Sequence, residues 1–300
     1  MLFRSNFTLS ALTSGGNYVV TPTKAARVPG SPGIGTTDVI AAQRHFLQIV
    51  LLSGCKLLAA DVSPAIPDGF VTTTDVIAIQ RFFLALTTGI ARTGQYKFTP
   101  VSRTYTGIVA NQTAQNYDTL IYGDVASGFV SPPRPGGGPA QDAAEVASTV
   151  AAIALPDVAV AQSRTNFTAA VTTSEIDATN KLVGFQGDFT FDERVVTFQS
   201  QPVSNAGLTG GNWNVSGNVL PGAGPIRTLR ISAYSNDFAP LSGSGTLFNL
   251  NMTRVSQAAQ GTQLIWAAPP DQFIFIDADL NTQKAGNAAP GSVTASGRRQ

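Results

Sequence analysis

Two short segments of the chain repeat the same pattern of apolar and polar residues, at an offset of 37 positions. Residues 36–47 and 73–84 are identical at ten of twelve positions. In the first copy, the positions that recur at helical spacing are Val39, Ile40, Gln43, Phe46 and Leu47. This spacing predicts a short amphipathic helix in each copy, with Gly54 and Gly89 as the expected stop signals. Neither helix can bury its apolar stripe alone, so we expect the two helices to pack on each other.

The segments on either side of this repeat alternate between apolar and polar residues like β-strands. Residues 7–22 read as strand, turn and strand, and residues 96–100, 103–105 and 111–117 continue the pattern after the helices. Residues 131–139 are rich in Pro and Gly, which predicts a linker without a packed core.

From residue 146 onward the chain shows strand patterns and no helix signals. The predicted strands cover residues 153–158, 165–171, 182–192, 195–198, 213–219, 226–234, 243–252 and 273–275. Turns rich in Gly, Asn and Pro separate them. Eight or nine short strands of this kind predict a β-sandwich or jelly roll.

Composition narrows the classes of function. Charged residues make up 12% of the chain, about half the usual share, and the net charge is +1 without a block of like charges. Such a surface does not neutralise a row of phosphates, so nucleic-acid binding is not expected. No apolar run approaches the roughly 18 residues of a membrane span. Cys55 is the only cysteine, so no internal disulfide forms, and we expect it to be a small buried hydrophobic residue.

The first residues carry no secretory signal, since residues 1–10 lack a basic start, an apolar stretch and a cleavage site. The chain reads as if it begins inside a domain, and residues 2–5 look like translated sequencing-adapter DNA. We therefore expect the N-terminus to be truncated.

Residue types that carry catalysis are scarce. His45 is the only histidine, and the matching position of the second copy holds Phe82, which indicates a packing role. Three scattered Glu residues do not form the carboxylate pair of a glycosidase, and zinc ligands are lacking. Asp277 and Asp279 read as a solvated strand end. We expect the chain not to be an enzyme.

The segment before the second helix resembles a calcium-binding loop. Asp68 and Gly69 match the carboxylate and the sharp-turn glycine of an EF-hand loop, and Asp75 falls where the last ligand belongs. The first and third positions are filled only if three extra residues bulge out between Ser63 and Asp68. The candidate ligands for this one calcium site are Asp61, Ser63, Asp68, Phe70, Thr72 and Asp75. The alternative is a turn with Asp caps.

The first copy has lost this pattern. Arg27, Pro29 and Ser31 occupy the ligand positions, and Pro32 replaces the glycine. We expect no calcium there, and Asp38 is interpreted as a carboxylate at a helix N-terminus.

A tandem of calcium-type half-loops, each followed by a near-identical short helix, resembles a dockerin domain over residues 27–92. The resemblance implies that matched polar residues at the loop end and along each helix touch the partner. These residues are Thr36, Thr37, Gln43 and Arg44 in the first copy and Thr73, Thr74, Gln80 and Arg81 in the second. It also implies two nearly equivalent binding faces. The alternative is a helical hairpin that only packs on its neighbour.

The second half carries a different resemblance. A strand ending in Phe191 and Asp192, the Trp213 strand with Gly217-Asn218, an Arg-Ile-Ser strand at 230–232 and the stretch 240–247 occur in the order of a cohesin domain, over residues 148–295. Carbohydrate-binding modules share this architecture, so the fold alone does not settle the role. The strands that flank the helices resemble prealbumin-like β-sandwich repeats of bacterial surface proteins.

These resemblances imply a mainly β chain with a small α unit. A cohesin-like β-sandwich (jelly roll) is joined to a two-helix dockerin-like unit that is inserted in a partial prealbumin-like β-sandwich. The predicted boundaries are residues 5–24 and 96–130 for the partial β domain, 25–95 for the helical pair, 131–145 for the linker and 146–296 for the cohesin-like sandwich.

The implied function is a non-catalytic scaffold or adaptor, outside the cell or at its surface. Cohesin- or dockerin-bearing proteins are the expected partners, with a link to polysaccharide degradation. The first alternative is a carbohydrate-binding surface protein in which Trp213, Tyr234 and Trp266 stack on sugar rings, against core packing of the same rings. The second alternative is a purely structural stalk segment.

Overall fold

A computed structural model of the chain describes residues 8–64, 68–126, 145–161, 165–255 and 261–296, with the side chains of 145–148 left out. The chain divides into two compact units. The first comprises residues 1–82 and 87–142, and the second comprises residues 83–86 and 143–300.

The first unit contains the helices of the repeat. Its helices are α1 (Thr36–Phe46), α2 (Gly54–Ala60) and α3 (Thr73–Phe83). Its strands are β1 (Gly16–Val20), β2 (Tyr96–Thr99), β3 (Arg103–Ile108) and β4 (Asp118–Ile121). The strands form two separate two-stranded sheets, in which β1 pairs with β3 and β2 with β4, both antiparallel.

The two predicted helices are present, and most of the predicted stripe is buried. Val39 and Ile40 of α1 are buried, as are Val76 and Phe83 of α3, but Ile77, the counterpart of Ile40, is 45% exposed. Phe46 is 41% exposed, so the stripe of α1 ends one turn earlier than predicted.

The expected stop signals were wrong. Gly54 is the first residue of α2, a helix that the pattern did not predict, and α1 already ends at Phe46. After α3 the chain turns at Ala85, which has a φ of 58°, before Gly89 is reached. The C-termini of α1 and α3 are set by backbone hydrogen bonds that turn the chain. The position of the next glycine in the sequence does not predict them.

Two predicted strands of the first unit are also corrected. Residues 8–12 form no strand, and residues 111–117 form none either, since β4 begins at Asp118. Alternation makes a segment able to pair, but a strand also needs a partner, and β1 and β3 use only each other. The described residues of this unit therefore form two small sheets, and the prealbumin-like sandwich is not confirmed.

The second unit consists of strands. In chain order they are β5 (Glu145–Val150), β6 (Ile153–Ala154), β7 (Asp157–Val160), β8 (Asn166–Ile176), β9 (Leu182–Asp192), β10 (Val196–Asn205), β11 (Trp213–Val219), β12 (Ile226–Ser235), β13 (Gly243–Arg254), β14 (Thr262–Trp266), β15 (Ile274–Asp277), β16 (Thr282–Ala285), β17 (Ala288–Ala289) and β18 (Gly291–Ala295). Short 3-10 turns lie at Ala178–Asn180 and Gly207–Thr209.

These strands form two sheets. One has the order β10-β13-β8-β6-β17. The other runs β5-β16-β15-β9-β14-β18-β7, with β12 also paired to β9 and β11 paired to β12. The long strand β9 is therefore the hub of the larger sheet.

The two sheets enclose one aromatic core. The ring of Phe185 on β9 lies 5.5 Å from that of Phe248 on β13, 5.6 Å from that of Phe273 and 6.0 Å from that of Trp213, measured between centroids. Since Phe248 belongs to the smaller sheet and Phe185 to the larger, the sheets pack face to face. The predictions of a β-sandwich and of a mainly β chain with a small α unit are confirmed. Strands β14 and β16–β18 escaped prediction, and each is at most five residues long, which leaves little room for a recognisable pattern.

Within the ranges listed above, no helix combines the length and the apolar character that crossing a membrane requires.

Candidate functional site

The N-terminus of α1 is fixed by the carboxylate of Asp38, which is fully buried. Its Oδ2 accepts a hydrogen bond from Gly35 N at 2.8 Å, at the start of its own helix. Its Oδ1 accepts hydrogen bonds from Val125 N at 2.6 Å and Ala126 N at 2.9 Å. One carboxylate therefore joins the start of α1 to a segment 87 residues further along the chain.

Asp75 makes the same arrangement at the N-terminus of α3. Its Oδ2 accepts hydrogen bonds from Thr72 N at 2.8 Å and from Thr72 Oγ1 at 2.9 Å. Its Oδ1 accepts from Val62 N at 2.8 Å and Ser63 N at 2.7 Å. We call each of these two arrangements a clasp, made of a buried Asp, the residue three positions before it, and two successive amides of a distant segment.

The two distant segments of the clasps are related in sequence. Asp61-Val62-Ser63 serves α3, and Asp124-Val125-Ala126 serves α1. The shared Asp-Val-small pattern was the signal that could have identified residues 124–126 as part of the repeat. It was missed because the segment lies far outside the 37-residue offset.

The predicted calcium ligands can be tested against this geometry. An ionised carboxylate offers about four acceptor positions, and Asp75 uses four with its bonds to Val62, Ser63 and Thr72. Asp68 accepts a hydrogen bond from Phe70 N at 2.9 Å, which is a local turn. Two of the expected ligands are thus engaged by backbone amides.

Asp61 is the remaining carboxylate of the predicted loop. Its Oδ2 accepts a hydrogen bond from Gly69 N at 2.9 Å, and its buried Oδ1 lies 3.9 Å from Arg92 Nη2 without a hydrogen bond. Burial raises the pKa of Asp61, and the nearby carboxylates of Asp75 and Asp68 raise it further, against the opposing effects of the Gly69 amide and Arg92.

The predicted ligands do not fit a calcium ion in this arrangement. In the described part of the chain, no three acidic, His or Cys side chains converge closely enough to hold a metal ion. Asp75 would have to release four hydrogen bonds in order to bind one. Residues 65–67 of the predicted bulge lie outside the described residues. Calcium at the second loop remains a prediction that the clasp geometry does not favour.

The predicted partner-binding residues differ in exposure between the two copies. Thr36, Thr37 and Gln43 of the first copy are buried, as is Gln80 of the second. Thr73 and Thr74 are exposed. The two copies therefore present different surfaces at the start of their helices, although the residues are identical.

The two arginines of the repeat are partly exposed, and they differ in their contacts. Arg81 donates from Nε to Thr88 O at 2.7 Å and from Nη2 to Thr88 Oγ1 at 3.0 Å. Arg44 Nε is buried and makes no hydrogen bond within the described chain. Arg44 is thus the less engaged of the two guanidinium groups.

The structure also shows the surroundings of His45 and Cys55 in the helical unit. His45 accepts a hydrogen bond from Leu52 N at its Nδ1, at 2.9 Å, so it fixes the turn after α1. Cys55 is exposed, which corrects the expectation that it is buried. It lies in the first turn of α2, a helix whose only buried residues are Ala59 and Ala60 near its other end.

A buried ion pair stands out in the second unit. Arg230 of β12 donates from Nη2 to Asp188 Oδ2 at 2.8 Å and from Nε to Asp188 Oδ1 at 3.0 Å. Arg230 Nη2 also lies 3.2 Å from Oδ1 of Asp271, which is on the surface. Burial raises the pKa of Asp188, and the arginine opposes that shift. This pair joins β9 to β12, where the two residues lie opposite each other.

Asp277 corrects the expectation of a solvated strand end. It is buried, and its Oδ1 accepts hydrogen bonds from Asp279 N and Asn281 N, each at 2.9 Å. Its Oδ2 accepts from Gln283 Nε2 at 3.1 Å. The carboxylate caps the turn between β15 and β16, so it is structural.

The aromatic residues considered for sugar stacking are buried. Trp213 and Trp266 belong to the core of the sandwich, where Trp266 contacts Phe189 at 5.6 Å and Phe273 at 5.0 Å between ring centroids. Tyr234 is also buried, and burial raises its pKa to about 12. None of the three rings offers a free face to a sugar.

No family model matches the chain, and a search of curated proteins finds no match. Among solved structures, the chain is similar to the sixth cohesin of scaffoldin B from Acetivibrio cellulolyticus, solved in complex with a Cel5 dockerin. The two are 15% identical, with a TM-score of 0.38, over 49% of this chain and 100% of that one.

Two further solved structures are similar over the same share of the chain. CaCohA2 from Clostridium acetobutylicum is 19% identical, with a TM-score of 0.37, over 51% of this chain and 94% of that one. A cohesin module from a family 33 glycoside hydrolase of Clostridium perfringens is 12% identical, with a TM-score of 0.37, over 50% of this chain and 100% of that one.

Proposed function

We propose that this chain is a non-catalytic adaptor, outside the cell or at its surface, that holds proteins together through dockerin- and cohesin-type contacts. The observation that supports this proposal most is the repetition of one helix as α1 and α3. Both α1 and α3 run for 11 residues, begin with Thr-Thr-Asp and carry the same clasp. A partly exposed arginine then follows at the same position of each, Arg44 and Arg81.

Packing alone does not explain this second level of repetition. Core packing accounts for the shared Val and Ala positions, but it does not require an arginine at the rim of both helices. Arginine presents five donors in a planar group and is frequent among residues that dominate protein interfaces. Two matched arginines on one small unit therefore suit the binding of carboxylates or carbonyls of a partner.

The sandwich supplies the other half of the proposal. Its motifs follow the order found in cohesin domains, and β9 and β12 pair along nine successive positions to make a long, regular sheet. The Arg230–Asp188 pair adds a buried side-chain contact between these two strands. A rigid sheet of this kind suits the binding of a helical partner.

The described residues give no support to a catalytic reading. His45 is used as an acceptor for a backbone amide, and Glu193 forms a two-point ion pair with Arg227, at 2.6 and 2.9 Å. These groups have structural partners. We also propose that the proteins assembled by this adaptor take part in polysaccharide degradation.

The carbohydrate-binding alternative depended on the rings of Trp213, Tyr234 and Trp266, and all three are buried. We therefore place protein binding ahead of sugar binding. Labelled polysaccharides applied to the full chain would distinguish the two, since the alternative requires retention of a sugar by a chain that binds no protein.

The direct test uses the full chain and titrates it with cohesin-bearing and dockerin-bearing proteins of the same source, a second copy of this chain included. We expect micromolar or tighter binding that is lost when both Arg44 and Arg81 are changed to Ala. The matched control carries Arg194→Ala and Lys181→Asn, which removes two positive charges at exposed positions of the sandwich. Equal binding by both double variants, or no binding by the parent chain, would remove the support for an adaptor.

A further inference from the structure

The two clasps provide an account of how the helical repeat is held together. At each helix the Asp carboxylate is buried and accepts two successive backbone amides of a distant segment. The carboxylate also accepts the amide three residues before it, at Gly35 or Thr72. The amide of Gly35 or Thr72 is one of the N–H groups at a helix start that have no partner within the helix.

We infer that Asp38 and Asp75 are equivalent anchors, and that the helical repeat folds through these two carboxylate clasps without calcium. The sequence pattern separated the two sites, since only the second retained the residues of a calcium loop. The geometry of the two sites is the same, because in each the Oδ1 atom accepts two amides of a distant segment and the Oδ2 atom accepts the amide at the helix start. The clasp of Asp38, where we expect no calcium, therefore shows how Asp75 is held.

The strength of the arrangement follows from charge and burial. A hydrogen bond to an ionised carboxylate is about twice as strong as one between neutral groups. Asp38 and Asp75 each accept three backbone amides, and no water competes because both side chains are fully buried. Metal coordination at Asp75 would break these bonds, so calcium and the clasp exclude each other at that residue.

The clasps also define the extent of the repeat. The segment that closes α3 precedes it in the chain, whereas the segment that closes α1 follows β4, at Val125 and Ala126. The repeat is therefore completed only by residues 124–126. A boundary at residue 95 would leave Asp38 buried without the two amides of its clasp.

The first test is thermal unfolding of the full chain in EDTA, followed by circular dichroism at 222 nm. Asp38→Asn and Asp75→Asn each keep the shape of the side chain while placing an amide donor against backbone donors. We expect both variants to lower the helical transition by a similar amount, on the order of 10 °C. Asp68→Asn is the matched control, because Asp68 is an exposed residue of a local turn. It should stay within about 2 °C of the parent.

A calcium-held loop gives the opposite pattern. Asp68→Asn and Asp75→Asn would then lower the transition only when calcium is present, whereas the effect of Asp38→Asn would be the same with and without calcium. Addition of calcium chloride to the parent chain should shift the transition by less than about 1 °C, whereas a saturated site would raise it by several degrees. Either calcium result overturns the inference.

A second measurement needs no variant, in case the substitutions prevent folding. Hydrogen exchange of the parent chain in EDTA should show the amides of Val62, Ser63, Val125 and Ala126 protected to the level of helix interiors. Protection that appears only after calcium is added, or at Val62 and Ser63 but not at Val125 and Ala126, would contradict two equivalent clasps.

Discussion

The two copies of the helical repeat differ in their surroundings far more than in their sequence. Ten of twelve residues are identical, and the carboxylate of each clasp accepts the same three backbone-amide hydrogen bonds. Yet Ile40 is fully buried while its counterpart Ile77 is 45% exposed, and Thr36 is buried while Thr73 is exposed. Local hydrogen bonding is thus carried by the repeated sequence, and exposure is imposed by the neighbours of each copy.

The copies differ at two positions. At one of them Ala42 and Ile79 are both fully buried, but at the other the surroundings differ. His45 is partly exposed and accepts the amide of Leu52, whereas Phe82 is fully buried. Gly94 passes so close to the Phe82 ring that a Cβ there would lie 2.5 Å from a ring carbon, and its φ is +84°. The second copy is therefore the more deeply packed at this helical position.

The largest expected effect concerns this pair. Phe82→Ala should destabilise the chain by about 3–5 kcal/mol, because it leaves a cavity at a fully buried site. His45→Ala removes one hydrogen bond at a partly exposed site and should cost about 1 kcal/mol. Denaturant unfolding followed at 222 nm measures both. Similar losses would show that the two copies are packed alike.

A second matched pair lies at Ile40 and Ile77. Ile40→Ala should cost about 2–4 kcal/mol, since the side chain is fully buried, and Ile77→Ala less than about 1 kcal/mol. The same denaturant series gives the difference. If Ile77→Ala costs as much as Ile40→Ala in the isolated chain, then Ile77 is covered in solution and the contrast in exposure is lost.

Partner binding sharpens the comparison further. The double change of Arg44 and Arg81 to Ala should weaken binding by about 2 kcal/mol or more if these are interface hot spots. Each single change should cost less, because the other copy still offers its arginine. Arg44→Ala should be the more harmful of the two, since Arg81 is already held by Thr88. Titration of the full-chain variants with one cohesin-bearing partner measures this order, and the reverse order would show that the second copy is the main contact.

The smallest expected effect concerns the residue three positions before each Asp. Thr72 donates both N–H and Oγ1 to Asp75, whereas Gly35 has only its N–H to give Asp38. Thr72→Gly makes the second clasp like the first and should cost only a few tenths of a kcal/mol. Thr72→Ser keeps the hydroxyl and should be neutral. A loss above about 2 kcal/mol would mean that the hydroxyl, and not the amides, closes the clasp.

Much of the fold could be predicted from pattern. The helices α1 and α3 and the long strands β8 to β13 follow from helical spacing and from alternation, because each places an apolar face where a core must form. The sandwich itself followed from the number and spacing of these strands. The short strands β16 to β18 did not, because a strand of two to five residues is too short to show a pattern and exists only through the partner that it pairs with.

The site was less predictable. Asp38 and Asp75 were recognised at their helix starts, and Arg44 and Arg81 as matched residues. The burial of Thr36, Thr37 and Gln43 could not be read from their residue types, since Thr and Gln are usually exposed. The exposure of Cys55 was missed for the opposite reason, because cysteine is usually buried.

The sequence by itself determined the repeat, the helix starts with their carboxylates and the apolar faces of the main strands, since these depend on neighbours within a few residues. Only the tertiary structure decided which amides those carboxylates accept. Val125 and Ala126 lie 87 and 88 positions from Asp38, and chain folding alone brings them within 3 Å of it. A carboxylate beside a half-loop has the same local sequence whether a metal ion or two backbone amides complete it, so the choice is settled by the segment that packs against it.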